Sequence, residues 1–332
     1  MNKSVNKIAI VRLSALGDIV NSAIVLQFLH QHYPTMKIDW ITEKSFAPLL
    51  QNHPYINKVH TVELKQLKKE KKLSLLKETV KYLRSLGPYD KIIDMQGLLK
   101  SSIVARLIGP NTHGFDKNSI RESAASFLYK TSSHISYDSN IVKRNCHLIS
   151  DGFNFLIDEK MIQTKENIFP SKPFEFDGDP LRKNIAIVIG ASWESKKYPK
   201  EKILELVNEL NENCYIIWGN QEEKSDAQWI SRNSDFAKVA PKFSLQELVS
   251  FISSCDLLIG NDTGPTHMAW AQNIPSITLF GPTNERMIFE TSKNHAIHSP
   301  SKVDIFKINK NDFSIREIDV GIILNTAKEL LQ

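Results

Sequence analysis

The feature that most constrains the fold is one continuous stretch, LLIGNDTGPTHMAWAQNIPSITLFG, at residues 257–281. Its apolar runs at 257–259 and 276–280 have the composition of buried strands, and about ten residues between them have helical spacing. A strand, a helix and a second strand in this order form a βαβ unit, which sets two parallel strands in one sheet. The stretch therefore predicts an α/β fold.

The turn at residues 261–264 joins the first of these strands to the helix. Such a turn exposes free backbone N–H groups at the positive end of the helix dipole, and phosphate binds well there. Two hydroxyls, on Thr263 and Thr266, and the imidazole of His267 accompany it. The alternative is that the Asn, Asp and Thr side chains only cap the helix.

A second strand-to-helix turn lies near the start of the chain. The apolar run 7–13 predicts a buried strand, residues 14–18 (SALGD) a turn, and residues 19–32 a helix. Because the turn holds one glycine, Gly17, it lacks the G-x-G-x-x-G fingerprint and disfavours a nicotinamide enzyme. Asp18 is the only carboxylate in this turn, which makes it a candidate general base, or else the N-cap of the following helix.

The alternating strand and helix pattern occurs twice, which predicts two doubly wound domains facing one another across a cleft. Periodicity fades where proline and glycine accumulate, so we place a linker at 166–183 between an acceptor-binding domain, 1–165, and a donor-binding domain, 184–312. The last segment, 313–332, contains a helix that is free to pack on either domain, including back on the first. This organisation suits an enzyme that holds a nucleotide-linked donor in one domain and an acceptor in the other.

Candidate ligands of a nucleotide diphosphate follow the strands of the second half. Lys196 offers a cation, and Glu223 is an acidic residue of the kind that binds ribose hydroxyls. The only D-x-D spacing, Asp177 to Asp179, lies in the predicted linker. We therefore expect no metal and no cofactor, with protein cations and helix dipoles meeting the charge of the departing nucleotide.

Charge is divided unevenly between the halves. Residues 1–170 carry 24 Lys and Arg against 15 Asp and Glu, whereas residues 171–332 carry 18 against 22. The lysine-rich run 65–72 is either a solvated helix start or a contact for an anionic surface or phosphorylated acceptor. No apolar run is long enough to span a membrane, and the sequence has no nucleic-acid motif. These features predict a cytoplasmic protein that is at most peripheral to a membrane, with no nucleic-acid partner.

Several motifs occur in an order that resembles a known family. They are SALGD at 14–18, KKYP at 196–199, WGNQEE at 218–223, PKFSL at 241–245, DTGPTH at 262–267 and FGPT at 280–283. The set resembles the ADP-heptose:lipopolysaccharide heptosyltransferases, and within that family it is most similar to the heptosyltransferases I.

The resemblance implies a GT-B fold and an inverting, metal-independent transfer of L-glycero-D-manno-heptose from ADP-heptose. The acceptor it implies is the 5-hydroxyl of Kdo on Kdo-lipid A, in the inner core of lipopolysaccharide. It also implies a location at the cytoplasmic face of the inner membrane, where the protein would bind an anionic lipid surface.

The resemblance also assigns roles to individual positions. Asp18 matches the base, Lys196 a phosphate ligand, Glu223 a ribose ligand, Phe243 a position beside the adenine, and Asp262 a heptose-hydroxyl ligand. The remaining donor-side positions are Ser192, Thr263, Gly264 and His267. On the acceptor side the resemblance assigns Lys100 and Arg121. Gln96 and Lys100 also follow the predicted strand 89–95, which places them at the same carboxyl edge of the sheet as Asp18. We add Gly17 and Gln96, and Lys65, Lys68 and Lys69 of the lysine run, to the acceptor-side positions.

Two positions depart from the family pattern. Ala191 precedes Ser192 where relatives have a pair of hydroxyls, and Pro265 removes one backbone N–H from the helix start. His267 is either a catalytic acid or a packed structural residue. Two other functions remain open: heptosyltransferase II or another core transferase with the same donor, and a nucleotide-sugar-binding protein without catalysis.

Overall fold

The computed structural model describes residues 5–332, which divide into two compact units, one up to Ile168 and one from Phe169 onward. Each unit is a six-stranded, all-parallel sheet with helices connecting the strands. The doubly wound α/β prediction is therefore confirmed for both. No helix in the described range is long and apolar enough to cross a membrane.

The sheet of unit 1 has the strand order β3-β2-β1-β4-β5-β6. Its strands are β1 (Lys7–Val11), β2 (Lys37–Glu43), β3 (Lys58–Val62), β4 (Lys91–Asp94), β5 (Thr112–Phe115) and β6 (Thr131–Ser133). After β1 the chain builds the sheet outward on one side, and it then returns to β1's other edge with β4. The point between β1 and β4 is the topological switch point, where ligands of such sheets bind at the carboxyl ends of the strands.

The helices of unit 1 connect these strands. They are α1 (Leu16–Ala23), α2 (Val25–His32), α3 (Ala47–Leu50), α4 (Leu64–Glu70), α5 (Leu73–Ser85), α6 (Leu99–Ile108), α7 (Ile141–Phe153) and α8 (Glu159–Gln163), with a 3-10 helix at Ser123–Leu128. Helices α5 and α6 contact each other, and α6 contacts the 3-10 helix, whereas α7 packs on α1 and α2. Helices α5 and α6 and the 3-10 helix thus form one continuous layer.

The sheet of unit 2 repeats the arrangement, with strand order β12-β11-β10-β7-β8-β9. Its strands are β7 (Asn184–Val188), β8 (Asn213–Ile217), β9 (Ala237–Val239), β10 (Leu257–Asn261), β11 (Ser276–Phe280) and β12 (Asn294–His298). Its helices are α9 (Lys200–Leu210), α10 (Gln221–Arg232), α11 (Leu245–Ser253), α12 (Gly264–Ala271) and α13 (Val320–Leu330). The switch point here lies between β7 and β10, so the turns that follow these two strands face the same ligand position.

Both central strands are buried because their sequences are almost wholly apolar. In β1 the residues from Ile8 to Val11 have no exposed surface, and the same holds for Leu257 to Ile259 in β10. At position 260 only glycine fits, since a Cβ there would lie 2.5 Å from Cβ of Val188 on the neighbouring strand.

The predicted linker, 166–183, differs from the structure because most of it belongs to unit 2. Phe169 N–H donates to Gln272 Oε1 at 2.9 Å, and the ring of Phe174 packs edge-on against Phe251 at 5.1 Å. Proline and glycine do interrupt regular structure there, but aromatic side chains between them bury against α11. These contacts fix the segment.

The C-terminal helix, α13, packs on α9 and β11 of unit 2. The fully buried side chains of Ile323 and Ala327 lie in the unit 2 core, and the hydroxyl of Tyr198 donates to Ile318 O at 2.8 Å just before the helix. Packing on the first domain was one of the two predicted alternatives; the structure has the other, because the apolar face of α13 completes this core.

Candidate functional site

The Asp18 turn lies at the carboxyl end of β1, beside the switch point of unit 1. Helix α1 begins at Leu16 after Ala15, so Asp18 sits in the first turn and is not the N-cap. Its Oδ2 accepts from Ala15 N–H at 3.2 Å, and its Oδ1 lies 2.8 Å from Nη2 of Arg12. The Asp18 side chain remains about a quarter exposed, at 27%. One carboxylate is thus held in a fixed orientation with access to a ligand.

Arg12 was missed in the sequence because it lies within the apolar run 7–13, which predicts only a strand. The residue is buried, and its Nη1 donates to Met95 O at the end of β4. The guanidinium therefore joins the carboxyl ends of β1 and β4 at the switch point, and it fixes the orientation of the Asp18 carboxylate. A buried arginine at the end of a central strand is the signal that would have found it.

Gln96 and Lys100 come together with the Asp18 turn, as predicted from their place after β4. Gln96 Oε1 accepts from Leu13 N–H at 3.0 Å, and Lys100 Nζ lies 3.4 Å from Ser14 Oγ. Gly17 lies in the first turn of α1, next to Asp18. The turns after β1 and β4 therefore form one polar cluster, which we call the Asp18 cluster.

Two further carboxylates are buried at this edge of the sheet. Asp94 accepts from the hydroxyls of Tyr129 at 2.7 Å and Ser101 at 2.8 Å, and burial raises its pKa despite these hydrogen bonds. Burial also raises the pKa of Glu43 at the end of β2, although the charges of Lys65 and Lys100 oppose the shift. Asp94 organises the turn that carries Gln96, while Glu43 lies between cations.

The other predicted acceptor residues are exposed around this edge. Lys68 and Lys69 project from α4, Lys65 Nζ lies 5.5 Å from the ring centroid of Phe46, and Arg121 lies in the loop after β5. Across residues 5–332, none of these four side chains hydrogen-bonds to the Asp18 cluster. Their acceptor-binding role stays a prediction.

In unit 2, two of the predicted donor residues, Lys196 and His267, contact the carboxylate of a third, Asp262, directly after β10. Lys196 Nζ lies 2.6 Å from Asp262 Oδ2, which also accepts from Thr283 Oγ1 at 2.8 Å. His267 Nε2 lies 3.1 Å from Asp262 Oδ1. Lys196, Asp262 and His267 are all buried. Three separate turns thus converge on one carboxylate at the switch point.

The electrostatics of this cluster keep Asp262 ionised. Burial alone would raise the pKa of Asp262, but the charge of Lys196 and the hydrogen bond from His267 hold it well below its usual range. The ion pair holds the Lys196 ammonium group in one position. Because the two charges cancel, the pair adds little net charge to the site.

Three buried polar atoms beside this pair have no hydrogen-bond partner within the described residues: Ser195 Oγ, Thr263 Oγ1 and His267 Nδ1. Buried polar groups are normally satisfied, so unpaired ones at a helix start indicate a bound polar ligand. Thr263 is the N-cap of α12, where free N–H groups and the helix dipole favour an anion. The arrangement fits a diphosphate.

For two hydroxyls, those of Thr266 and Ser192, the structure differs from the predicted place beside a ligand. Thr266 Oγ1 donates to Asn261 O at 2.7 Å, so this hydroxyl stabilises the turn and does not face a ligand. In the loop after β7, the predicted Ser192 is exposed, whereas Ser195, on the same loop, is fully buried. Ser195 was missed because a serine in a polar loop has no distinguishing pattern in sequence.

Asn261 is a second organising residue that the sequence analysis read only as a turn residue. Its Nδ2 donates to Ile189 O at 3.0 Å and Gly190 O at 3.3 Å, and its Oδ1 accepts from Tyr198 N–H at 3.1 Å. One buried amide therefore fixes both ends of the loop that carries Lys196. Such an amide replaces backbone partners that the loop cannot supply itself.

Glu223 lies in the first turn of α10, at the carboxyl end of β8. Its carboxylate accepts from Gly219 N–H at 2.5 Å and Asn220 Nδ2 at 2.8 Å. A Cβ at position 190 would lie 2.7 Å from this carboxylate, so Gly190 permits the approach. Glu223 is thus placed near the β7 turn, and its ribose role stays a prediction.

Phe243 lies just before α11 and packs on Phe251 with ring centroids 4.8 Å apart. Its ring also meets Phe174 at 5.9 Å, edge to face. The ring is half-buried, so part of its surface remains free for a planar ligand. This geometry is compatible with an adenine contact.

No group of three or more His, Cys, Asp or Glu side chains that could hold a metal ion occurs in residues 5–332. The two aspartates of the D-x-D spacing are used locally: Asp177 Oδ1 lies 3.2 Å from Lys238 Nζ, and Asp179 Oδ1 accepts from Leu181 N–H at 2.9 Å. Both aspartates of this spacing therefore have local partners within unit 2.

Comparison with known proteins places these features in a family. The family model for glycosyltransferase family 9 (heptosyltransferase) matches residues 79–305. Lipopolysaccharide heptosyltransferase 1 of Campylobacter coli is 40% identical, with 98% of each chain covered. The protein of the same name from Escherichia coli K12 is 26% identical, over 91% of this chain and 96% of that one.

Solved structures agree at the level of the fold. The E. coli heptosyltransferase WaaC with ADP-2-deoxy-2-fluoro heptose superposes with a TM-score of 0.80 at 22% identity, covering 97% of this chain and 99% of that chain. E. coli ADP-heptose lps heptosyltransferase II gives 0.68 at 19% identity, covering 98% of both. The GT-B prediction is thereby confirmed.

Proposed function

The chain belongs to glycosyltransferase family 9, the heptosyltransferases, and on that premise we propose that it is an inverting heptosyltransferase of lipopolysaccharide inner-core synthesis. The donor is ADP-heptose, as in the ligand named for the related solved structure. The acceptor is the 5-hydroxyl of Kdo on Kdo-lipid A, presented at the cytoplasmic face of an anionic inner membrane.

One observation carries the donor half of this proposal. Ser195 Oγ, Thr263 Oγ1 and His267 Nδ1 are buried without partners beside the Lys196–Asp262 pair. The diphosphate of ADP-heptose supplies the acceptor oxygens that the hydroxyls of Ser195 and Thr263 require. As the bond between the anomeric carbon and the diphosphate oxygen breaks, Lys196 and the α12 N-terminus meet the charge that develops on ADP.

The acceptor half rests on Asp18. The Kdo hydroxyl oxygen forms the new bond to the anomeric carbon on the face opposite the leaving ADP, which inverts its configuration. The proton of that hydroxyl passes to the Asp18 carboxylate, which acts as general base. Arg12 holds the carboxylate in place through the 2.8 Å contact.

A transfer assay with matched acceptors tests the function. Purified protein with ADP-heptose and Kdo-lipid A should release ADP and give a heptosylated lipid, with an unchanged rate after a metal chelator is added. An already heptosylated acceptor should be inert. If only the heptosylated acceptor reacts, the protein is a heptosyltransferase II; if ADP-heptose binds without turnover on any core acceptor, it is a binding protein.

The Asp18→Asn variant tests the assignment of the base. It should bind ADP-heptose as the wild type does and lose about 10²-fold to 10⁴-fold in kcat, the range for removing a general base. Full activity of this variant would remove Asp18 from the mechanism.

A further inference from the structure

A group of large apolar side chains is exposed on one helical layer of unit 1. The exposed fractions are 64% for Leu73, 43% for Leu76, 42% for Leu99, 44% for Ile103 and 83% for Phe127. The first two lie on α5, the next two on α6 and the last on the 3-10 helix that contacts α6. Single exposed apolar residues are ordinary, whereas a group on contiguous elements marks an interaction surface.

The topology places most of this group at the same edge as the Asp18 cluster. Helix α6 starts where β4 ends, so Leu99 and Ile103, one turn apart, lie at the carboxyl end of the sheet. Helix α5 runs antiparallel to the strands before β4 begins, so its first turn, with Leu73 and Leu76, lies at that end too. These four side chains therefore border the predicted acceptor site, whereas Phe127 lies further along the same layer, next to Leu128, whose carbonyl accepts from Thr112 Oγ1 at the start of β5.

Lysines lie on one side of this group, on α4 and around the start of α5. Residues 64–77 contain six lysines and one glutamate. Lys68, Lys69 and Lys71 are exposed, and the glutamate, Glu70, pairs with Lys72 at 2.9 Å. A surface with exposed hydrocarbon side chains beside a lysine-rich helix is complementary to an anionic bilayer, which offers acyl chains behind a layer of negative head groups.

We propose that α4, the first turn of α5, α6 and the 3-10 helix form a membrane-docking face that inserts Leu73, Ile103 and Phe127 into an anionic bilayer. This docking face rests on the proposed function, because a lipid-linked acceptor has to reach the carboxyl edge that carries Asp18. The docking face goes beyond the proposed function in two ways. It names the surface that contacts the membrane, and it adds the burial of apolar side chains to the attraction between lysines and head groups.

The two components respond differently to salt. Attraction between exposed lysines and lipid head groups is screened over about 8 Å at physiological ionic strength and over about 3 Å in 1 M salt. Burial of apolar side chains does not weaken in that way. Docking by charge alone would disappear at high salt, whereas docking by this face leaves residual binding that depends on its apolar side chains.

Vesicle co-sedimentation of the full chain tests the proposal. The probes are phosphatidylcholine vesicles with and without phosphatidylglycerol, at low and high salt. The wild type should bind the phosphatidylglycerol vesicles and retain part of this binding at high salt. The variant Leu73→Gln/Ile103→Gln/Phe127→Gln should bind at least about tenfold more weakly, because it no longer buries three apolar side chains in the bilayer.

A matched control carries three equally exposed apolar side chains elsewhere. Leu156, Leu181 and Ile322 are 73%, 93% and 55% exposed, and the variant with glutamine at all three should bind vesicles like the wild type. The proposal is overturned if the wild type does not bind, if the first variant binds as the wild type does, or if the control loses as much.

Turnover on a water-soluble Kdo acceptor without acyl chains separates this result from the proposed function. Both triple variants should keep wild-type turnover of ADP-heptose on that acceptor, which also shows that they fold. If the wild type is inactive on it, the proposed function fails, while vesicle binding still decides the docking face.

Discussion

Arg12 Nη2 lies 2.8 Å from Asp18 Oδ1, and Arg12 Nη1 donates to the carbonyl oxygen of Met95, just after β4. A single buried side chain thus sets the position of the proposed base relative to the two central strands of unit 1. Lysine cannot replace it, because an ammonium group lacks the planar fork that reaches both partners.

The Arg12→Lys variant should lose activity without losing donor binding. We expect kcat to fall about 10-fold to 100-fold as Asp18 loses its fixed orientation, since small misplacements of catalytic groups have effects of that size. Kinetics with the soluble acceptor, and calorimetric titration with ADP, measure the two quantities. An Arg12→Lys enzyme with wild-type kcat would show that the contact does not position the base.

Removal of Lys196 should destabilise unit 2 more than removal of the pair. In Lys196→Met the Asp262 carboxylate stays buried without its cation, at a cost of about 3–5 kcal/mol in the free energy of unfolding. The double variant Lys196→Met/Asp262→Asn should recover much of that loss but still fail to bind ADP-heptose. Denaturant unfolding and donor titration of the three proteins check this, and equal stability of the single and double variants would contradict it.

Asn261 variants should separate hydrogen bonding from charge. Asn261→Ala leaves the N–H of Tyr198 and the carbonyl of Ile189 without their partner, and unsatisfied buried groups cost about 1–3 kcal/mol each. Asn261→Asp should be worse, because a carboxylate would face carbonyl oxygens. Thermal unfolding measures the stability of both variants, and the Kd for the donor should rise in both. An Asn261→Asp protein more stable than Asn261→Ala would show that the Asn261 amide does not hold the loop that carries Lys196.

Glu43→Gln should raise stability at neutral pH. Burial raises the folded-state pKa of Glu43 above its unfolded value, so the ionised carboxylate costs free energy. The stability linked to its neutral form is present at pH below the unfolded value, about 4.3, and is lost as pH rises through the folded value. The gain of Glu43→Gln should thus appear near pH 7 and vanish near pH 4. Glu209→Gln, at an exposed position, is the control and should show no such trend.

Two buried histidines should make unit 1 sensitive to acid. Burial lowers the pKa of both His53 and His113 to about 4, below the ordinary value of 6.5. The unfolded chain takes up protons below pH 6.5 while the native state does not, so stability falls as pH drops toward 4, by about 1.4 kcal/mol per pH unit for each histidine. Urea unfolding between pH 7 and 4 measures the slope, which should halve in His53→Gln.

The sequence was sufficient to predict the two parallel sheets, since near-continuous apolar strands alternate with amphipathic helices along the chain. It also placed Asp18, Gln96 and Lys100 together, because residues after neighbouring parallel strands share an edge. The sequence also has Ser244 with Glu247 three residues later, which is the pattern of a capping box, and the structure has both of its hydrogen bonds. Patterns of short range or fixed period were therefore the reliable ones.

The roles of Arg12 and Asn261 were missed because they depend on partners far away in sequence. Nothing near Asn261 in the chain indicates that its amide reaches Ile189 and Tyr198, more than 60 residues away. The short strands β5, β6, β9 and β12 were also missed, since runs of three to five residues carry little periodic signal.

The aromatic contacts of Phe174 with Phe243 and Phe251 bear on how the protein can be dissected into fragments. A truncation that starts at Asn184 would remove Phe174 and expose the rings of Phe243 and Phe251, and an exposed apolar surface promotes aggregation. A fragment that starts at Phe169 keeps both rings covered, and it is the natural starting point for expressing unit 2 alone.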